Sequence, residues 1–285
     1  MTIQEALNKT ISELNEYGIQ EPILKARILL AFVINKDKEY LIVNEDEELS
    51  NEEKAAFKQA AARLLKGEPL QHIIGVQEFM KLKFMVNKNV LIPRPDTEIL
   101  VEEVIHILQK TVGVVHCATR LQILDLCTGS GAIAVSIAKY AENVNILGTD
   151  ISQEALDVAK QNAEKNNVKI EFIESDLFEN IKGKFDVIIS NPPYIEKEEM
   201  KKLDAEVQKE PVIALDGGED GLDFYRRIIS EALKYLNPEG YLCLEIGYNQ
   251  KETVMQLIKE SNHYKDIYSK KDLAGIDRVI ICKLK

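Results

Sequence analysis

From Leu91 onward the sequence alternates short apolar runs with stretches of helical period, and such a chain can bury its runs only as a mainly parallel sheet covered by helices. The runs Leu121 to Leu126, Asn145 to Gly148, Lys169 to Ile173, Phe185 to Ser190 and Tyr241 to Ile246 are the predicted strands. A helix near 249–260 precedes two further runs, His263 to Tyr268 and Arg278 to Lys283, which predict a terminal antiparallel pair. Between Tyr194 and Leu222 lies a long charged stretch with little periodicity; inside a compact domain that predicts a functional loop.

The first part of the chain has a different period. Ile3, Leu7, Ile11 and Leu14, then Ile23, Leu24, Ile28, Leu29 and Phe32, recur at helical spacing. Glu21-Pro22 opens a second helix, and Ser50-Asn51-Glu52-Glu53 reads as a capping box before an Ala-rich helix ending near Gly67. From Gln71 to Val90, Ile73, Ile74, Val76, Phe79, Leu82, Phe84, Met85 and Val86 suggest two short strands joined by a turn. The expected organisation is α/β with an N-terminal helical-bundle domain over residues 1–70, a β-hairpin linker over 71–92 and the sheet domain over 93–285.

No apolar run approaches the roughly 18 residues needed to cross a bilayer. The N-terminus has neither a basic start nor an apolar stretch of signal-peptide length, so the expectation is a cytoplasmic protein with no membrane partner. Cys117, Cys127, Cys243 and Cys282 show no metal-type spacing, and His72, His106, His116 and His263 are equally scattered, so no metal is expected. The formal charge of −11, from 36 basic and 47 acidic residues, argues against tight non-specific nucleic-acid binding.

Ile123 to Gly131 runs from the first strand of the sheet domain into a helix starting near Ala132, placing small residues where backbone must approach a ligand. Asp150 ends the next strand, where a carboxylate can accept from both ribose hydroxyls of an adenosine. Gly129, Gly131 and Ala134 also fit a dinucleotide loop, so these positions alone leave nicotinamide cofactors open. Asp125 tilts the balance, because a carboxylate there suits the cationic amino group of a methionine moiety and repels a pyrophosphate. Asp176 can accept from an adenine exocyclic amine, with Leu177 beside it, although taken alone helix capping would explain Asp176 nearly as well.

Asn191-Pro192-Pro193-Tyr194 follows the fourth strand at its carboxyl end, where open α/β sheets bind ligands. Pro192 and Pro193 donate no N–H, so nearby carbonyls and the Asn191 side-chain oxygen can act as acceptors for an NH₂ group. Holding both hydrogens of a planar nitrogen favours its more pyramidal transition state, and Tyr194 can cover the planar group. These features together point to an S-adenosylmethionine-dependent methyltransferase with a Rossmann-like class I sheet.

Several blocks carry a more specific likeness: Gly67 to Gly75, Leu91 to Glu98, the cofactor loop, Asn191 to Tyr194, Asp216-Gly217-Gly218 with Asp220-Gly221-Leu222, and Lys271 to Gly275. Over essentially its whole length the chain resembles the peptide-chain release factor glutamine N5-methyltransferases, the PrmC/HemK family. That resemblance implies methyl transfer from S-adenosylmethionine, leaving S-adenosylhomocysteine, to the glutamine amide in the Gly-Gly-Gln motif of class 1 release factors. It implies cofactor contacts at Thr128, Gly129, Ser130, Gly131, Asp150, Leu177 and Asn191, and Cys127 is expected to contact the cofactor beside the Asp125 and Asp176 reasoned above. It implies a glutamine clasp, both catalytic and substrate-binding, at Asn191, Pro192, Pro193 and Tyr194. Cys127 stands where family members often have Gly. Arg94 and Glu98 are expected to position loops, an interdomain salt link being the other reading. A monomer with release factors as partners is expected; the rivals are an exocyclic-amine methyltransferase of nucleic acid, a dinucleotide-dependent reductase and a non-catalytic binding protein.

Overall fold

The computed structural model describes residues 1–114 and 120–285; His116 and Cys117 lie outside the described residues. The chain forms two compact units, one of Met1–Val76 with Asp204–Lys209, the other of Gln77–Leu203 with Glu210–Lys285.

The smaller unit is helical: α1 (Ile3–Glu16), α2 (Pro22–Val33), α3 (Lys38–Val43), α4 (Asn51–Leu65) and α5 (Leu70–Ile74). Thr2 with Glu5 and Ser50 with Glu53 form reciprocal capping boxes on α1 and α4, each satisfying helix N–H groups that would otherwise lack partners. Ile3, Leu14, Leu29, Leu30, Phe57 and Leu64 make its core. α2 exists as the spacing predicts, but it buries Ala26, Leu29 and Leu30 and leaves Ile23 and Phe32 53% and 51% exposed. Apolar residues surround this helix on every side, so periodicity alone selects no face.

Ile73 and Ile74, expected in a strand, belong instead to the single turn α5, bounded by Pro69 and by Gly75 at φ 73°. The hairpin begins after that glycine, as β1 (Val76–Phe79) and β2 (Leu82–Met85). Its turn residues, Met80 and Lys81, both have positive φ, 50° and 58°. That sign matches the twist of a two-residue hairpin, which usually recruits Asn or Gly there.

The larger unit contains α6 (Glu98–Val114), β3 (Leu121–Leu126), α7 (Ala132–Tyr140), β4 (Val144–Asp150), α8 (Gln153–Lys165), β5 (Glu171–Glu174), β6 (Phe185–Ser190) and α9 (Lys197–Met200). It continues with α10 (Asp223–Glu231), β7 (Leu236–Glu245), α11 (Lys251–Glu260), β8 (Tyr264–Lys271) and β9 (Asp277–Leu284). The sheet order is β5-β4-β3-β6-β7-β9-β8. The five strands from β5 to β7 are parallel, while β9 pairs antiparallel with both β7 and β8. Leu124, Ile188 and Leu242 pack on one side and Ile123, Ile189 and Cys243 on the other, so both faces are buried and the strands read as continuous apolar runs.

The order reverses at β3: the chain steps outward through β4 and β5, then returns to β6 on the other side. Carboxyl ends at such a switch point leave a crevice between diverging loops. Leu126 pairs with Thr149 and with Ser190, so the loops after β3, β4 and β6 all begin at one level of the sheet.

Candidate active site

A cleft of about 170 Å³ opens at this edge. The loop after β3 contributes Cys127 and Gly129, the end of β4 Asp150 and Ile151, the turn after β5 Asp176 and Leu177, and the turn after β6 Asn191 and Pro193.

Asp125 is brought to the same region but lies behind the wall, fully buried. Its Oδ2 accepts from Thr128 Oγ1 at 2.6 Å and from the Ala134 N–H at 3.2 Å, tying the loop to the start of α7. Its Oδ1 has no hydrogen-bond partner among the described residues, and burial pushes its pKa up to about 7. Thr128 and Ser130 are also buried, and Gly131, at φ 77°, starts α7. A Cβ on Gly131 would come within 3.0 Å of the Ala159 Cβ.

Asp150 faces the cleft and braces the loop at the same time. Its Oδ2 accepts from the Gly129 N–H at 2.9 Å and its Oδ1 from the Ser152 N–H at 3.0 Å, while burial raises its pKa. Asp176 has a partner that sequence reasoning missed: its Oδ1 accepts from Arg227 Nη2 on α10 at 2.9 Å. Leu177 takes a left-handed φ of 48° and is buried with the core residues Phe178 and Tyr225 while still edging the cleft.

Cys127 has φ 57°, the conformation for which glycine is preferred. Replacing it with Gly relieves that strain but loosens the unfolded chain, two effects of about 1 kcal/mol each and opposite sign. Urea unfolding should therefore place Cys127→Gly within about 1 kcal/mol of wild type and Cys127→Val at least ~1–2 kcal/mol below it, because a β-branched residue tolerates positive φ worst. Equal stabilities would mean that the loop does not hold this conformation.

Asn191 and Pro193 reach the cleft wall, whereas Pro192 and Tyr194 are not among the residues that line it. The Asn191 Nδ2 donates to Thr97 Oγ1 at 3.3 Å, leaving Oδ1 as the free end of the carboxamide. Behind this pair sits the buried Glu245 carboxylate, which burial lifts to about 7 while the nearby Thr97 and Asn191 side chains favour its charged form. Tyr194 is held from below: Gln250 Nε2 donates to its carbonyl at 2.9 Å and to the Gly221 carbonyl at 3.1 Å. The Gln250 Oε1 in turn accepts from the Gly247 N–H at 3.0 Å. Burial also raises the pKa of the Tyr194 phenol, so it stays neutral.

Arg94 and Glu98 both position loops. Arg94 pairs with the buried Glu210, which also accepts from the Ile92 N–H at 2.8 Å, and Glu98 accepts from the Met80 N–H at 2.5 Å in the hairpin turn. Beyond the expected residues, Val90, Leu91, Ile213 and Phe224 supply apolar lining. Their one sequence signal was position: Val90 and Leu91 at the start of the Leu91 to Glu98 block, Ile213 inside the aperiodic stretch and Phe224 just beyond it.

The two buried carboxylates make stability depend on pH. With folded-state values near 7, above those of ordinary carboxylates, Asp125 and Glu245 favour the fold most at low pH, and this contribution is lost as pH rises towards and through 7. Glu245→Gln, which cannot ionise, should gain stability relative to wild type between pH 5 and pH 8, by a few kcal/mol at most. A difference independent of pH in urea titrations without ligand would show that Glu245 ionises normally.

Comparison with known proteins identifies the family of the chain. Residues 5–75 match the PrmC N-terminal domain, and residues 104–218 match the Methyltransferase small domain. A bifunctional methyltransferase of Rickettsia felis is 44% identical over 98% of the chain, which spans only 58% of that relative. Among solved structures, a methyltransferase from Pyrococcus furiosus superposes with a TM-score of 0.51 at 22% identity, covering 80% of this chain and 98% of its own, and so shares the fold. A release factor glutamine methyltransferase of Geobacter sulfurreducens is 41% identical over 98% of the chain and 95% of its own length. At that identity and coverage, the chain belongs to the release factor glutamine methyltransferase family.

Proposed function

We propose that this chain transfers the methyl group of S-adenosylmethionine to the side-chain amide nitrogen of a glutamine in peptide-chain release factors, specifically the Gly-Gly-Gln glutamine of class 1 factors. The observation that carries the reading is the Asn191 carboxamide at the cleft wall, tethered through its nitrogen so that its oxygen is free to accept.

The cleft suits the cofactor on its own chemistry. Asp150 offers carboxylate oxygens at the end of β4 for ribose hydroxyls, Ile151, Leu177 and Phe224 give apolar walls for a purine, and the unpartnered Asp125 Oδ1 favours a cation near the loop. When bound, S-adenosylmethionine supplies a methyl group already activated by its positively charged sulfur. The residues of this chain then have to hold and orient the amide. Asn191 Oδ1 and the backbone carbonyl of Pro192, which lies between the lining residues Asn191 and Pro193, accept its two hydrogens and so favour the pyramidal nitrogen over the planar one. The amide nitrogen takes the methyl group as its bond to sulfur breaks, and the extra proton leaves late to solvent, so alignment supplies much of the rate and no dedicated base is required. Gln250 fixes the Tyr194 backbone, keeping the turn rigid.

We assign substrate recognition to the helical residues 1–70, with residues 71–92 as the connecting hairpin segment, and place the protein in the cytoplasm as a monomer acting on protein rather than nucleic acid. Among the described residues, no helix is long and apolar enough to cross a membrane. Incubation with labelled S-adenosylmethionine and either a class 1 release factor or duplex DNA tests the substrate class. Label is expected on the release factor glutamine, and label in DNA alone would sink the proposal.

A further inference from the structure

Glu245, at the last position of β7, is 3% exposed and has an Oε2 with no hydrogen-bond partner among the described residues. A buried carboxylate of this kind costs several kcal/mol unless something in the site uses it. Thr97 is also buried, at 4% exposure, in the turn that opens α6. Its Oγ1 accepts from Asn191 Nδ2 at 3.3 Å, so its own hydroxyl hydrogen is left to donate elsewhere, and Glu245 is the acceptor facing it. The other charged and phenolic groups near Glu245 are Asp96 before α6, Arg278 on β9, Tyr194 after β6 and Tyr225 on α10, whose hydroxyl donates to the Glu245 backbone carbonyl at 2.9 Å.

The two ends of a carboxamide have nearly the same shape, so sterics alone do not decide which one Asn191 presents to the cleft. If the nitrogen faced the cleft, it would offer a donor to an NH₂ group and leave the substrate without its acceptor.

Resting on the proposed amide methylation, we infer that Glu245 and Thr97 are positioning residues that set the rotamer of Asn191. The donors run one way, from Asn191 Nδ2 to Thr97 Oγ1 and from both side chains towards the Glu245 carboxylate, so that Asn191 Oδ1 faces the substrate. The carboxylate is the right terminus because, once ionised above pH 7, it only accepts. A glutamine in its place can donate to Thr97, which then can donate to Asn191 Oδ1 and let the carboxamide turn over.

The test uses the full chain, labelled S-adenosylmethionine and a release factor, with steady-state kinetics and calorimetric cofactor binding. Glu245→Gln and Thr97→Val are each expected to lower kcat by roughly 10- to 100-fold, in line with the loss of one preorganised partner in an active site. Cofactor Kd should stay within about threefold, and neither variant should melt far below wild type. Thr97→Ser, which keeps the hydroxyl, should restore kcat to within about threefold. Because both residues act through one hydrogen-bond chain, the double variant should fall little below the weaker single one. Additive losses, a failure of Thr97→Ser to rescue, or losses confined to cofactor Kd would overturn the inference while leaving the function in place. A wild type that leaves the release factor unlabelled would overturn both.

Discussion

Replacing Asn191 with Ala should lower kcat for release factor methylation by roughly 100- to 1,000-fold, the range for removing one preorganised polar group from an active site. The expectation follows from where the carboxamide sits. Its nitrogen is committed to Thr97, and its oxygen is the acceptor left to the cleft. Truncation removes that acceptor and also the Nδ2 donor to Thr97 Oγ1. Asn191 is one of several residues that line the cleft, so cofactor Kd should weaken much less than kcat, by several-fold at most. Radiolabel transfer at saturating cofactor, together with calorimetry, separates the two quantities. Full methylation by the variant would reject the clasp.

The second large effect is expected at a residue outside the lining of the cleft. A Cβ on Gly217 would lie 2.7 Å from Tyr194 Cα, 2.8 Å from Tyr194 C and 2.9 Å from Gly221 Cα. All three are backbone atoms, so no side chain can swing aside to admit a methyl group. Gly217→Ala must move the turn after β6 or the loop that follows α9. Overpacking of this kind costs about 1–3 kcal/mol, and here the strain falls on the turn that carries Asn191. The variant should therefore melt lower and lose methyl transfer out of proportion to its loss of fold. Wild-type stability and kcat in Gly217→Ala would show that the two loops are not packed together.

Much of the sheet was legible because strands buried on both faces read as uninterrupted apolar runs. Leu121–Leu126 and Phe185–Ser190 have the expected bounds, and the antiparallel pair at the end of the chain is present. β7 starts at Leu236, five residues before the expected Tyr241, because Asn237, Pro238 and Gly240 interrupt its apolar pattern. The face of α2 was illegible for the opposite reason, since every side of that helix is apolar. Ile73 and Ile74 suit either state, and the flanking Pro69 and Gly75 decided for a helical turn.

In the candidate site, the backbone requirements were visible and the long-range partners were not. Glycines and prolines announce loops locally, which is why the positions of Cys127 to Gly131 and Asn191 to Tyr194 could be read directly. Thr97, Glu245, Gln250 and Arg227 reach the site from elements distant in sequence, and nothing in their neighbours announces an interaction across 50 or more residues. Asp125 shows the limit most clearly. Its position at a strand end was read correctly, yet only the packing reveals that one oxygen is spent on Thr128 and Ala134.

The make-up of the smaller unit has a consequence for biosynthesis. Its helices lie within the first 76 residues, but its last piece, Asp204–Lys209, leaves the ribosome roughly 130 residues later. At ~5–20 residues per second that interval is on the order of 10 s, far longer than a helical bundle needs to fold. The nascent bundle must therefore exist for a time with Lys25 waiting for Glu206, its ion-pair partner. Completion of the earliest-made unit is thus deferred until most of the later one has been translated, so synthesis and folding do not finish in the same order.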